Sequence, residues 1–205
     1  MIAIVDYGRG NLGSVEKALA RVGMEALVTE DPRVVEDAEA VVLPGDGAFH
    51  DAMASLERLA LLAPLRRVLE GGRPFLGICL GYQLLFSESE EFGQGKGLDL
   101  IPGVVRRFPK GLKVPHMGWN RVHHAGDLAI FDGIPSGAYF YFVHSYYPEL
   151  LDGTLGVATC TYGVSFPAAI GRGNLFATQF HPEKSQRWGL RLIENFAAFV
   201  KGQRG

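Results

Sequence analysis

Four short apolar runs read as strands in the first half of the chain, Ile2–Val5, Ala26–Thr29, Ala40–Leu43 and Pro74–Ile78, and the first has β-branched residues and no polar alternation. A strand with no polar side is one buried on both faces, as in a parallel sheet held between two helical layers. Between the runs the pattern changes to helical spacing. Leu12, Val15, Leu19 and Val22 recur on one face and Gly23 stops the helix; Met53–Leu69 reads as one or two helices, broken near Pro64 and ending at Gly71-Gly72. Strand–helix alternation predicts an α/β fold, a mostly parallel sheet flanked by helices on both faces.

The second half reads differently. Gly103–Phe108, Asn120–His123, Ala138–Val143, Thr154–Cys160, Val164–Gly171 and Asn174–Thr178 are expected to be short strands, added antiparallel at one side of the sheet. A last helix follows, capped by Ser185, with Trp188, Leu192, Phe196 and Phe199 on one face. There is no repeat and no linker, and 205 residues make one expected domain, 1–205.

Composition narrows the function. Twenty Lys+Arg against twenty-two Asp+Glu leave no strongly basic face, so nucleic acid is not an expected partner. The start, MIAIVDYGRGN, lacks the basic and long apolar regions of a secretory signal, and no apolar stretch approaches the ~20 residues of a membrane helix. Two cysteines, Cys79 and Cys160, do not make a disulfide framework, and a reducing cytoplasm is the expected location. No metal-ligand spacing occurs; His123 and His124 are adjacent and point different ways.

The most informative segment is Phe75-Leu-Gly-Ile-Cys-Leu-Gly-Tyr-Gln83. A strand ends at Ile78, Gly77-x-Cys79-x-Gly81 follows, and a helix begins at Leu80. This is the sulfur counterpart of the G-x-S-x-G nucleophile elbow. The glycines allow a crowded, sharp turn that lifts the thiol above the sheet edge. The helix start offers N–H groups to the sulfur and to an oxyanion. A buried structural cysteine at a strand end is the plainer reading.

A thiol nucleophile needs a base, and the base an orienter. His181-Pro182-Glu183, between a strand and the last helix, offers both; taken alone it also reads as a surface turn. A third segment, Pro44-Gly45-Asp46-Gly47, follows the strand Ala40–Leu43. It stands where open α/β sheets place their sites, and its backbone N–H groups suit an oxyanion; an ordinary strand-to-helix turn is the alternative.

Taken together, and in this order, the three segments resemble the class I, triad-type glutamine amidotransferases over the whole chain. The resemblance implies a flavodoxin-like fold and a triad of Cys79, His181 and Glu183. It also implies an oxyanion loop, Gly45-Asp46-Gly47, and a glutamine site built from Gly45, Leu80, Gln83 and the Ser145-Tyr146 backbone. Asp6-Tyr-Gly-x-Gly-Asn11, His116-Met-Gly-Trp-Asn120, Tyr139–Tyr146 and His181–Lys184 are similar, more narrowly, to the glutaminase subunits of imidazole glycerol phosphate synthases. That likeness implies a heterodimer with a (β/α)8-barrel cyclase subunit, faced by Asn11, Trp119, Tyr141 and Lys184. It implies L-glutamine as substrate and no metal or organic cofactor. The glutaminase that feeds pyridoxal phosphate synthase shares the chemistry, but the Asp6–Asn11 and Gly118-Trp119-Asn120 stretches argue against it.

One residue departs from the family pattern. Asp46 stands where an apolar residue, most often Val, is usual, and a carboxylate facing the oxyanion would oppose its charge. Asp46 is therefore expected to turn to solvent or to the partner. Cys160 is expected in the core, His50, His123 and His124 at the surface or satisfied within the fold, His144 in a structural role, and Arg66/Arg67 and Arg106/Arg107 on solvated faces.

Overall fold

The computed structural model describes residues 1–151, 153 and 155–202. The chain runs β1 (Ile2–Val5), α1 (Leu12–Arg21), β2 (Ala26–Thr29), α2 (Pro32–Asp37), β3 (Ala40–Leu43), α3 (Phe49–Arg58), α4 (Leu62–Glu70), β4 (Phe75–Ile78) and α5 (Leu80–Gln83). It continues as β5 (Phe86–Ser89), β6 (Gly95–Lys96), β7 (Ile101–Arg107), β8 (His116–Val122), β9 (Ala138–His144), β10 (Tyr146–Leu150), β11 (Gly156–Tyr162), β12 (Val164–Arg172), β13 (Leu175–Thr178) and α6 (Gln186–Gly202).

Seven strands form the main sheet in the order β11-β12-β13-β4-β3-β1-β2. Pairing is parallel from β2 through β13 and antiparallel from β13 to β12 and from β12 to β11. The predicted two-faced burial holds for Ile2–Val5 residue by residue, whereas β2, at the edge of the sheet, is only partly buried and leaves Leu27 44% exposed. Ile2 and Ile4 pack into the apolar cluster on one face, with α1 and α6, while Ala3 and Val5 pack into the cluster on the other, with α3 and α4. All four side chains are fully buried.

The antiparallel additions were expected at one side of the sheet, and only β11 and β12 are found there. β13 runs parallel to β4. The others make two separate layers, a four-stranded sheet in the order β10-β7-β5-β6 and the ribbon β8-β9. β5, β6, β10 and the short helix α2, whose N-cap Asp31 accepts from Arg33 N–H, have no counterpart in the sequence reading. The expected strand Thr154–Cys160 begins at a residue outside those described, and β11 starts at Gly156.

The helical stretch after β3 breaks at Ala60, which takes φ +55°, and not at Pro64. Pro64 lies in the first turn of α4, where a missing N–H has no intrahelical acceptor to lose. Ser185 does not cap α6 with its side chain. Its hydroxyl donates to His181 O at 2.6 Å and accepts Tyr141 N–H at 2.9 Å, stitching the His181 turn to β9. Arg67 is exposed and pairs with Glu36, and Arg106 is half-buried and pairs with Glu90 and Glu149.

Candidate active site

The site lies at the carboxyl ends of the parallel strands. β4 stops at Ile78, and Cys79 takes φ +55° and ψ −107° before the chain turns into α5. For a residue with a Cβ this conformation costs roughly 1–3 kcal/mol. It is held because Cys79 N–H donates to Thr178 O at 2.7 Å and because Gly81 lets β3 approach. A Cβ on Gly81 would lie 1.8 Å from Leu43 O. α5 is only four residues long, so its contribution at the sulfur is local N–H groups rather than a long helix dipole.

His181 is carried by the turn after β13. Its N–H donates to Tyr141 O at 2.9 Å, and Nδ1 lies 2.8 Å from Glu183 Oε1. The Glu183 side chain is 2% exposed. Since a carboxylate only accepts, Nδ1 carries the proton and Nε2 is the free nitrogen; it is buried with no hydrogen-bond partner among the described residues. Burial alone would push the imidazole below its ordinary value. Neighbouring Cys79 and Glu183 outweigh it, and the net shift is upward.

Cys79 and His181 line a cleft of about 380 Å³ together with Asp46, Gly47, Leu80, Gln83, Ser145, Tyr146 and Lys184. Gln83 Nε2 donates to Tyr146 O at 2.9 Å and to Gln179 Oε1 at 3.0 Å, and Gln179 Nε2 reaches Cys79 Sγ at 3.8 Å. Sγ is also 3.8 Å from Val143 O, to which the thiol donates.

Leu80 N–H, one of the two expected oxyanion donors, donates to Gly45 O at 3.4 Å. Gly45 has no room for a side chain: a Cβ would lie 2.2 Å from Tyr7 Oη and 2.9 Å from Leu80 Cβ. Tyr7 Oη donates to Pro44 O at 2.9 Å, and burial raises its phenol so that it stays a neutral donor.

Asp46 does not face the oxyanion position, and its side chain has a partner within the chain. Exposed, it accepts Gly10 N–H at 3.0 Å. Beside it the Arg9 guanidinium covers Gly47 and pairs with Asp51 at 3.2 Å.

The four residues expected at a partner face lie on accessible elements. Asn11 caps α1, accepting Ser14 N–H at 3.4 Å. Trp119 is 46% exposed and stands edge-on to Tyr141 across the β8–β9 ribbon, with ring centroids 6.0 Å apart. Lys184 is exposed at the mouth of the cleft.

The glutamine amidotransferase class-I family profile matches residues 3–199. The chain is 56% identical to the imidazole glycerol phosphate synthase subunit HisH of Moorella thermoacetica, covering 98% of this chain and 95% of the relative. The chain belongs to the class I glutamine amidotransferases, within the HisH family. It is also 54% identical to the HisH of Geobacter sulfurreducens, over 95% of this chain and 97% of that one. Among solved structures, a glutamine amidotransferase superposes with a TM-score of 0.77 at 20% identity, covering 98% of this chain and 100% of the other, which speaks to the fold.

This amidotransferase is an enzyme, and its family frames what sequence reasoning missed. Gln179, which ties Gln83 to the thiol, sits in the β13–His181 turn with no motif of its own. Tyr7 and Arg9 lie inside the Asp6–Asn11 stretch noticed only as a likeness; the short glycine loop was the available signal. His144 lines the cleft and His116 is buried behind it, 2.8 Å away, and no spacing rule pairs them. Cys160 is buried as expected, and burial pushes its thiol up to about 12. His123 is exposed, but among the described residues His50 Nε2 and both ring nitrogens of His124 are buried without hydrogen-bond partners.

Proposed function

We propose that this amidotransferase is the glutaminase subunit of an imidazole glycerol phosphate synthase and works through a triad of Cys79, His181 and Glu183. The observation that carries the reading is the strained Cys79 elbow facing a buried His181–Glu183 pair 2.8 Å apart in one cleft.

Cys79 Sγ attacks the side-chain carboxamide carbon of L-glutamine. The oxyanion takes the Leu80 N–H together with one amide of Gly45–Gly47. His181, as imidazolium, protonates the departing nitrogen, and ammonia leaves behind a γ-glutamyl thioester. His181 Nε2 then deprotonates a water, which displaces the thiolate and releases glutamate. Gly45 O, now on the Leu80 N–H, must first turn away, and a 3.4 Å contact is weak enough to break at low cost. Low resting activity and stimulation on assembly follow from that one peptide.

The proposed partner is a (β/α)8-barrel cyclase subunit, held as a heterodimer at Asn11, Trp119, Tyr141 and Lys184. The barrel uses the ammonia with a phosphoribulosyl-formimino aminoimidazole carboxamide nucleotide to give imidazole glycerol phosphate and aminoimidazole carboxamide ribotide. The whole chain acts as one domain, in the cytoplasm. Support for a reducing compartment is that Cys79 and Cys160 are both free thiols.

Glutamine hydrolysis is measured for the chain alone, with the barrel, and with barrel plus nucleotide. The expected result is strong stimulation in the last case; equal rates in all three would sink the regulatory part. Cys79→Ala should abolish glutamine-dependent synthesis by the complex while ammonia-dependent synthesis continues. Loss of both would make Cys79 structural.

A further inference from the structure

From His144, which lines the cleft, a buried polar chain that the mechanism above does not use runs back into the protein. His144 Nδ1 is 2.7 Å from Tyr146 O, and His144 Nε2 is 2.8 Å from His116 Nδ1. His116 Nε2 is 3.2 Å from Asn120 Nδ2, which also donates to Thr161 O at 3.0 Å. Arg121 N–H donates to Asn120 Oδ1 at 2.8 Å, which settles which end of that amide is the donor.

Every direction in the chain is then forced. Tyr146 O can only accept, so His144 carries its proton on Nδ1 and leaves Nε2 bare. Nε2 must accept, so His116 carries its proton on Nδ1. His116 Nε2 is therefore bare and accepts from Asn120. The two imidazoles sit among Phe108, Phe142, Tyr162 and Phe166, with His116 stacked on Tyr162 at 4.2 Å between centroids. Burial in that cage holds His116 down to about 4 and His144 to about 3, which keeps both rings neutral near pH 7.

The chain ends on a backbone atom of the substrate site. Tyr146 pairs with Arg107 between β10 and β7, and Phe108 N–H donates to Ser145 O at 3.2 Å. That places Tyr146 at a non-hydrogen-bonded position, so its N–H and C=O both point away from β7. Its C=O is held twice, by His144 Nδ1–H and by Gln83 Nε2–H. Its N–H, on the same side, is left to the cleft.

We propose that His116 and His144 are positioning residues for glutamine: a neutral, single-tautomer dyad that locks the Tyr146 carbonyl and so presents the Tyr146 N–H to the substrate's α-carboxylate. The proposal rests on the glutaminase reading. It gives His144 a task beyond packing, and it leads back along Asn120 to β8, whose Trp119 is the aromatic anchor of the proposed partner face.

The test combines kinetics of the stimulated complex with imidazole nitrogen NMR of the wild-type chain. His144→Phe keeps a ring in the cage and removes the donor; it should raise KM for glutamine about tenfold, the loss of one buried hydrogen bond, with kcat within about twofold. His144→Asn, whose amide replaces the Nδ1 donor, should bring KM most of the way back. The spectra should show Nδ1–H tautomers for both histidines, unchanged across neutral pH. An unchanged KM in His144→Phe, no recovery in His144→Asn, or an Nε2–H tautomer on either ring would overturn the proposal. If His144→Phe does not fold, His116→Phe with the same KM and kcat comparison, alongside the wild-type tautomers, decides it. A stimulated wild-type complex that does not hydrolyse glutamine would sink the glutaminase reading instead, and leaves the tautomer result to stand by itself.

Discussion

Asp46 shows how much one side chain can bias a loop. In this chain the carboxylate is tied to Gly10 N–H at 3.0 Å, on the residue that directly follows Gly45, whose carbonyl takes the Leu80 N–H. A Val at this position has no such tether. Removing an exposed hydrogen bond of about 1 kcal/mol shifts an equilibrium between two loop orientations several-fold. Asp46→Val is therefore expected to raise glutamine hydrolysis by the isolated chain about three- to tenfold, with a smaller effect once the partner is bound. An unaltered unstimulated rate would show that the tether does not restrain the loop. A gain of activity is informative because a merely damaged protein would not produce it.

At the scale of an element, the elbow depends on how closely two strands and a turn can approach. Gly81 touches the β3 backbone so tightly that any Cβ overlaps Leu43 O, and backbone cannot move aside as a long side chain can. Gly81→Ala is expected to cost roughly 1–3 kcal/mol, a drop of several degrees in Tm for a chain of this size. It should also slow alkylation of Cys79 by a reactive glutamine analogue. Wild-type Tm together with wild-type alkylation would mean that the close approach is dispensable. The ribbon β8–β9 makes the opposite use of geometry. Its period of two sends Trp119 outward while His116 and Asn120 on the same strand turn to the polar chain behind the cleft. One short ribbon thus carries both the exposed aromatic surface and the proposed support of the proposed glutamine site.

For the molecule as a whole, the buried histidines set the response to acid. His116 and His144 are held by burial at about 4 and about 3. In the unfolded chain each titrates near the ordinary ~6.5. Below that pH the unfolded state takes up protons that the folded state cannot. Their contribution to stability is therefore complete above about pH 6.5 and is lost as pH falls through the folded values, by up to roughly 1.4 kcal/mol per pH unit for each histidine. His181 is shifted the other way, and its effect lies above pH 6.5, where stability falls as pH rises. Chemical denaturation at pH 7, 6 and 5 should show stability declining toward acid, with a shallower decline in His144→Phe. Equal slopes for the two proteins would mean that His144 is not buried as a neutral ring.

What the sequence determined alone follows from local physics. Runs such as Ile2–Val5, lacking any polar side, have to be buried on both faces, and the strands drawn from them match the structure residue for residue at β1, β2 and β3. The Gly77-x-Cys79-x-Gly81 turn and the His181-Pro-Glu183 pair were legible because short segments fix their own backbone path, whatever the rest of the chain does. Tertiary structure decided what depends on residues far apart. The break at Ala60 instead of Pro64, the separate β10-β7-β5-β6 sheet and the Ser185 hydroxyl bound to the His181 turn are each settled by long-range partners. So are the Gly45 carbonyl on Leu80 N–H, the Asp46 tether to Gly10 and the His116–His144 dyad. In these the energy lies in hydrogen bonds and packing between distant segments, and no periodicity or spacing along one chain records which of them will meet.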